Sequence, residues 1–252
     1  MSLPHVISLC PVFRQTKWLN SSIQSFVDQT YPDSHRELLI LDDSGDMKGG
    51  TCSERRNRLG HPLWRVISIP DRLESIPAKY THLVKSAPHG DVYCVWDAMD
   101  IYLPWHTEAV ATVCPMRGFV MHEKQIVAYP GSAIVENSVT KAHGSLAISR
   151  HLLNEIGGWP LSRMGCYERD MISDLSKRGH RVEHYHKRGA SYVYRWTVRQ
   201  SYLGDAITRA MDSAFWYEDI ERRTKPEGKR GSIVPNPGYD EECQSILAMF
   251  SA

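Results

Sequence analysis

The chain has 252 residues, of which 42% are apolar and 23% charged, and its formal net charge is +1. This composition is typical of an ordinary globular protein, long enough for one large α/β domain or two small ones. The balanced charge excludes a bulk attraction to nucleic acid or to an acidic membrane surface, and no apolar run approaches the ~18 residues of a membrane span.

The first hundred residues alternate predicted strands and helices. Short apolar runs predict strands at 6–10, 38–41, 66–69 and 92–96. Pro11 is expected to end the first of them. Apolar residues at helical spacing predict a helix over 17–29, and residues 76–87 suit a second helix. This alternation predicts a parallel sheet built by right-handed crossover connections.

The second half of the chain is less regular. Its predicted strands lie at 119–122, 125–129, 144–148 and 192–194, with a turn joining the first two. Its predicted helices lie at 105–114, 150–156, 169–178 and 205–220. Residues 221–240 are rich in charge, Pro and Gly, which favours a mobile loop or tail.

Acidic residues follow two of the predicted buried strands. Asp42 and Asp43 follow the strand at 38–41, and Asp97 and Asp100 follow the strand at 92–96. Ligands bind at the carboxyl ends of strands in open α/β sheets, and acidic clusters there hold a metal ion and, through it, nucleotide phosphates. For each of these segments that follow a strand (the strand exits), the structural alternative is a polar turn such as an Asx turn. Two such exits in one α/β half predict a nucleotide site.

The cysteines and the N-terminal residues bear on the cell compartment. Six cysteines lie far apart without a C-x-x-C pair, which favours a reduced, cytoplasmic protein without structural zinc. The start of the chain lacks the apolar core of a signal peptide.

A series of short motifs runs through residues 4–200. The motifs are 5–13, 29–32, 37–43, 75–79, 90–91, 96–104, 144–145, 156–159 and 167–170. In this order they resemble family 2 glycosyltransferases, which have the GT-A fold. The resemblance implies a single Rossmann-like α/β domain, with a central, mainly parallel sheet flanked by helices and a smaller, irregular acceptor-side half.

The resemblance also implies a domain organisation and an activity. The domain would span 1–220, with a nucleotide-binding half at about 1–104 and an acceptor half at about 105–220, followed by a mobile loop and C-terminal helix at 221–252. The implied enzyme moves a sugar from a nucleoside-diphosphate sugar, of the UDP class, to an acceptor hydroxyl with inversion. The alternative is a non-catalytic or metal-independent relative that binds a nucleotide or a partner.

The resemblance implies nucleotide-sugar contacts at the predicted strand exits and at the start of the second helix. These residues are Pro11, Val12, Phe13, Arg14, Asp43, Lys79 and Asp97. Asp43 would accept a hydrogen bond from the base, and Lys79 would offset the charge of the departing diphosphate. The structural alternatives are Phe13 packing on the following helix and Lys79 as a solvated helix residue.

The implied metal ligands are Asp97 and Asp100. Relatives ending in Trp-Asp-Asp-Asp-Asp align with residues 96–100, so Met99 stands where the most direct metal ligand is expected. A thioether is a poor ligand for Mn²⁺ or Mg²⁺. The chain is therefore expected either to bind a divalent cation through the two remaining aspartates or to work without one.

The resemblance places the catalytic base at residues 167–170. Glu168 aligns with the usual base, and Asp170 is the competing candidate. A carboxylate at a helix N-terminus can take the proton from an acceptor hydroxyl, whereas Asp170 can instead stabilise the helix through its dipole. The implied acceptor is a polysaccharide, a lipid, a protein or a modified nucleic acid.

Overall fold

The computed structural model describes most of the first two hundred residues. The described ranges are 2–13, 19–45, 47, 50–51, 57–129, 132–137, 143–160, 167–180, 183–185 and 190–195. Arg14 and the predictions for residues 201–252, including the helix at 205–220, lie outside them.

Strands and helices alternate within these ranges. The strands are β1 (Val6–Val12), β2 (Arg36–Asp42), β3 (Gly50–Thr51), β4 (Trp64–Ser68), β5 (Val92–Val95), β6 (Ile101–Tyr102), β7 (Phe119–His122), β8 (Lys124–Tyr129), β9 (Ser132–Asn137), β10 (Ala147–Ser149), β11 (Glu183–Tyr185) and β12 (Tyr192–Arg195). The helices are α1 (Leu19–Val27), α2 (Ile76–Ser86), α3 (His106–Arg117), α4 (Arg150–Glu155) and α5 (Tyr167–Lys177). None of these helices combines the length and the apolar character needed to cross a membrane.

The larger sheet has a parallel centre, as predicted. Its strand order is β11-β7-β10-β5-β1-β2-β4-β3, and β5, β1, β2 and β4 pair in parallel. β10 is antiparallel to both of its neighbours. Every residue of β1, β2 and β5 is buried, which is the pattern expected of parallel strands covered by helices on both faces.

The prediction that Pro11 ends the first strand is wrong, because β1 continues to Val12. Leu9 accepts a hydrogen bond from Trp96, so the odd-numbered residues of β1 turn their backbone polar groups toward β5. β5 pairs with β1 only as far as Leu9. The missing N–H of Pro11 therefore faces a stretch without a ladder partner, where proline is tolerated.

A smaller sheet, in the order β6-β12-β8-β9, lies in the second half of the described chain. The sequence predicted a turn between the strands at 119–122 and 125–129, and both strands form. They join different sheets, however, since β7 pairs with β10 and β11 in the larger sheet while β8 pairs with β9 and β12 in the smaller one. The second half is thus organised by long-range pairing rather than by a local hairpin.

The helices cover both faces of the larger sheet. Buried residues of α2, α4 and α5 form one core cluster with odd-numbered strand residues such as Leu9 and Leu39. Buried residues of α1 and α3 pack against even-numbered ones such as Cys10 and Val92. This alternation follows from the two-residue period of a strand. The carboxyl ends of the strands lie along one edge of the sheet, between the two layers of helices.

Candidate functional site

The two acidic strand exits lie at the same edge of the larger sheet. Asp43 directly follows β2, Asp97 follows β5 by two residues, and β1 lies between these two parallel strands. Since neighbouring strands are separated by about 4.8 Å, the backbones at Asp43 and Asp97 are about 10 Å apart across the edge. The two acidic exits are therefore close enough to contact one bound ligand.

Asp42 organises the turn that leaves β2. Its carboxylate accepts hydrogen bonds from the N–H of Ser44 (3.0 Å), the N–H of Met47 (2.8 Å) and the hydroxyl of Ser68 (3.0 Å). Burial acts to raise the pKa of Asp42, but the hydrogen bond from the Ser44 hydroxyl, together with those above, outweighs it and the pKa is lowered. Asp42 thus forms the Asx turn considered at this exit, which leaves Asp43 for another role.

Asp43 forms a buried ion pair with Lys79. The Lys79 Nζ lies 2.6 Å from Asp43 Oδ1, and the exposed fractions of the lysine and aspartate side chains are 3% and 0%. The other oxygen of Asp43 accepts the N–H of Leu73 at 3.0 Å. Burial lowers the pKa of Lys79, and the neighbouring Asp43 opposes this change. The solvated position considered for Lys79 is therefore wrong, and the sheet edge holds two paired charges.

Two cations lie against the ring of Phe13, just beyond β1. The guanidinium carbon of Arg72 is 4.1 Å from the ring centroid, and Lys79 Nζ is 5.5 Å from it. These distances are within the range of cation–π attraction. Pro11 and Val12 are buried in β1, and the carbonyl of Val12 accepts the N–H of Asp43 at 3.5 Å. An aromatic face, two cations and a carboxylate thus come together at the ends of β1 and β2.

The exit of β5 is fixed by hydrogen bonds to its backbone. The hydroxyl of Ser22 donates to the carbonyl of Asp97 at 2.9 Å, and the N–H of Asp97 donates to the hydroxyl of Tyr102 at 2.6 Å. The carboxylate of Asp97 accepts the N–H of Met99 at 2.8 Å. Trp96 stacks on Tyr102 with ring centroids 3.8 Å apart.

Asp100 is joined to the smaller sheet. Its carboxylate is fully buried and accepts the hydroxyl of Tyr192, on β12, at 2.5 Å. Burial first, and then the charge of Asp100, raises the pKa of Tyr192 well above its ordinary value, so the phenol remains a donor. The ring of Tyr192 lies so close to the backbone of Gly144 that a Cβ there would overlap it. This close approach requires glycine at position 144. The predicted strand at 144–148 is wrong in its first residues, because Gly144 lies in a short 3₁₀ turn and the strand, β10, begins at Ala147.

Asp97 and Asp100 are the acidic residues at this exit that could hold a divalent cation. Mg²⁺ is commonly held by one or two carboxylates together with substrate phosphates. Met99, only 6% exposed, offers no side-chain oxygen. Among the described residues, the group of three His, Cys, Asp or Glu ligands in mutual reach lies elsewhere, around Glu37. Any metal at this exit would therefore need oxygen ligands in addition to these two carboxylates.

Both candidate bases lie in the first turn of α5. Helix α5 begins at Tyr167, so Glu168 is its second residue, and Asp170 is exposed two residues later. Met171 and Leu175 of this helix pack in the same core cluster as Tyr80 of α2. Helix α5 therefore lies on the face of the sheet that also carries Lys79.

Sequence reasoning missed two residues of this edge. Arg72 lies in the loop after β4, and because β4 is the parallel neighbour of β2, that loop opens at the same edge. This topological signal was available once the strands had been placed. Tyr192 had no local signal, because its contact with Asp100 spans 92 residues of sequence.

Comparison with known proteins supports the fold. No protein-family profile and no curated protein sequence matches this chain. Among solved structures, the mannosyltransferase PcManGT from Pyrobaculum calidifontis, in complex with GDP-Man and Mn²⁺, has a TM-score of 0.57 at 17% identity, covering 98% of this chain and 71% of that one. S. aureus TarS 1-349 in complex with UDP-GlcNAc has a TM-score of 0.55 at 12% identity, covering 78% and 60%. GalNAc-T7 with UDP, GalNAc and Mn²⁺ has a TM-score of 0.56 at 14% identity, covering 79% and 45%.

These similarities confirm the predicted fold class. The chain has the mixed α/β architecture of GT-A glycosyltransferases, with a central, mostly parallel sheet flanked by helices. It spans 60% of the TarS fragment and 45% of GalNAc-T7, so large parts of those proteins have no counterpart in it.

Proposed function

We propose that this protein is a glycosyltransferase that moves a sugar from a nucleoside-diphosphate sugar, of the UDP class, to an acceptor hydroxyl with inversion at the anomeric carbon. One observation carries the proposal. Within a GT-A-type fold, the carboxyl ends of β1, β2 and β5 bring an aromatic ring, two cations and two acidic exits to one edge. The proteins compared above were solved with GDP-Man, UDP-GlcNAc or UDP, which supports a nucleotide-sugar donor.

The nucleoside would bind at the ends of β1 and β2. Phe13 offers an aromatic face, with Pro11 and Val12 forming the wall behind it. Asp43 would accept the N–H of the base, because each of its oxygens has a second lone pair beyond the bonds to Lys79 and Leu73. Arg14, outside the described residues, would add a phosphate contact.

The diphosphate would lie between Arg72, Lys79 and the exit of β5. Fixed cations at this position stabilise the negative charge that develops as the diphosphate leaves. Asp97 and Asp100 would hold Mn²⁺ or Mg²⁺, which when bound would neutralise part of the same charge. Asp97 would also position the donor sugar, since its backbone is fixed by Ser22 and Tyr102.

Transfer requires a base on the acceptor side. The carboxylate of Glu168 would take the proton from the acceptor hydroxyl, whose oxygen then bonds to the anomeric carbon. The bond between that carbon and the diphosphate oxygen breaks, and its electron pair leaves with the nucleoside diphosphate. Asp170 is the alternative base. The acceptor would be a polysaccharide, lipid, protein or modified nucleic acid, and the enzyme would act in the cytoplasm.

The base assignment is tested by two matched substitutions, Glu168→Gln and Asp170→Asn. The assay measures release of nucleoside diphosphate from a panel of UDP- and GDP-sugars, together with donor affinity. Glu168→Gln should lower the rate by ~10²–10⁴ with donor affinity unchanged, because an amide cannot accept the proton. Asp170→Asn should have a milder effect, through helix-end electrostatics worth about 0.3–1 kcal/mol. The reverse ranking would move the base to Asp170, and full activity in both variants would refute either assignment.

A second candidate is a relative that binds a nucleotide without metal or without transfer. Two observations favour it. The buried Met99 stands between Asp97 and Asp100 in the sequence, and Tyr192 donates a hydrogen bond to Asp100. This candidate predicts saturable UDP binding that is indifferent to Mn²⁺, with no nucleotide release from any donor in the panel. Metal-enhanced binding with donor turnover would exclude it.

A further inference from the structure

Histidines surround a buried glutamate at the opposite edge of the larger sheet. Glu37 is the second residue of β2, six residues before Asp43, which at about 3.3 Å per residue places it ~20 Å from the proposed nucleotide site. His5 directly precedes β1, and His89 lies in the turn between α2 and β5. His61 precedes β4. Three separate segments therefore converge on one carboxylate of β2.

The geometry of this group approaches that of a metal site. His5, Glu37 and His89 each contribute one possible ligand atom, and these three atoms lie within 4.8 Å of one another. His89 Nε2 is 3.0 Å and His61 Nδ1 is 3.3 Å from the same Glu37 oxygen. With zinc bonds of about 2.0–2.1 Å, tetrahedral ligands are roughly 3.3 Å apart, so shifts of about 1 Å or less would bring His5, Glu37 and His89 into bonding distance of one ion.

A second observation points to a ligand. His5 is 1% exposed, and its Nδ1 is buried without a hydrogen-bond partner in the part of the chain described. The Nε2 of the same ring is 3.5 Å from Asn57 Nδ2, at the limit of a hydrogen bond. A buried polar atom without a partner is costly and usually signals a missing water or ion. Among the described residues, His5 therefore has one buried ring nitrogen without a hydrogen-bond partner.

We propose that His5, Glu37 and His89 bind a zinc ion, with a solvent molecule or the more exposed His61 at the fourth coordination position. Imidazole nitrogens with one carboxylate oxygen are a donor set that suits zinc. Arg65 Nε holds the other oxygen of Glu37 at 2.9 Å and would orient the carboxylate from outside the coordination shell. The ion would tie the amino ends of β1 and β2 to the segments before β4 and β5.

A neutral imidazole and an ionised carboxylate are the forms of histidine and glutamate that bind a metal ion. The expected absence of structural zinc rested on cysteine spacing, which does not report on histidines.

The test compares wild type with His89→Ala and with a matched control, His151→Ala, at an exposed histidine of α4. Each protein is stripped with a strong chelator and titrated with Zn²⁺ against a chromophoric competitor, and thermal unfolding is followed with and without Zn²⁺. Wild type and His151→Ala should bind one zinc per chain and unfold at higher temperature when loaded. His89→Ala should bind zinc at least ~10- to 100-fold more weakly, since even an outer-shell partner is worth that much.

A measurement on wild type alone covers the case in which His89→Ala does not fold. Zinc K-edge X-ray absorption of the loaded protein should show imidazole and oxygen donors at about 2.0–2.1 Å. A sulfur shell at about 2.3 Å would place the ion on cysteines and overturn the proposal. Equal zinc affinity in wild type and folded His89→Ala, or no stoichiometric binding by wild type, would also overturn it.

Discussion

The buried ion pair between Lys79 and Asp43 leads to a quantitative prediction for Lys79→Met. The substitution keeps the length of the side chain but leaves the fully buried carboxylate of Asp43 without its cation. Removing one partner of a buried pair typically costs about 3–5 kcal/mol. At about 2–4 °C per kcal/mol for a chain of this size, the unfolding midpoint should fall by about 6–20 °C.

The double variant Asp43→Asn, Lys79→Met isolates the coupling free energy between the two side chains from the separate contribution of each to stability. The amide that replaces the carboxylate keeps an oxygen that can accept the N–H of Leu73, so the double variant should be more stable than the sum of the single changes by about 1–3 kcal/mol. Lys85→Met, at an exposed lysine in the last turn of the same helix, is the control and should change stability by less than about 1 kcal/mol. Urea unfolding of wild type, the two single variants and the double variant completes the cycle. Additive single effects, or a Lys79→Met variant as stable as Lys85→Met, would refute the idea that this pair stabilises the site.

Two further predictions concern the tyrosines. Tyr192→Phe removes the donor to Asp100 and should lower the free energy of unfolding by about 1.5–3 kcal/mol, because the acceptor is charged. The hydroxyl of Tyr31 donates to the neutral carbonyl of Pro4 at 2.6 Å, so Tyr31→Phe should lower it by only about 0.5–1.5 kcal/mol, and equal losses of stability in urea unfolding would contradict a charged acceptor at Asp100. Stability should also fall as the pH rises above about 10, since burial and nearby carboxylates raise the pKa of Tyr102 and Tyr192, so the unfolded chain loses these protons while the folded chain retains them. Each such tyrosine steepens the loss of unfolding free energy by at most about 1.4 kcal/mol per pH unit, so the stability of Tyr192→Phe should decline less steeply than that of wild type between pH 9 and 11. An identical slope would show that Tyr192 ionises equally in the folded and unfolded states.

The central sheet was predictable from the sequence because its strands are buried on both faces. The runs at 38–41 and 92–96 indicated β2 and β5, and the acidic exits followed from the parallel direction of these strands. The smaller sheet was not predictable to the same degree. β6 has only two residues, and it pairs with β12 through residues such as Tyr102 and Tyr192 that are 90 positions apart.

The candidate site shows the same division between local and long-range features. Phe13, Asp43 and Asp97 could be placed at one edge from their positions after predicted strands. The pairing of Lys79 with Asp43 and the stacking of Arg72 on Phe13 depend on how α2 and the loop before it pack, which no local pattern encodes. The histidine cluster around Glu37 was also hidden, because its members come from four separate segments.

The central claim, a nucleotide site at the carboxyl ends of β1, β2 and β5, is tested most directly by calorimetric titration of UDP, with and without Mn²⁺, into wild type and Arg72→Ala. Wild type should bind one UDP per chain. Arg72→Ala should bind about 10- to 100-fold more weakly, because a charge-assisted contact to phosphate is worth about 1.5–3 kcal/mol. Arg178→Ala, at an exposed arginine beyond α5 that pairs with Asp174, should bind UDP like wild type. Absence of UDP binding by wild type, or equal affinity in wild type and Arg72→Ala, would contradict the site described here.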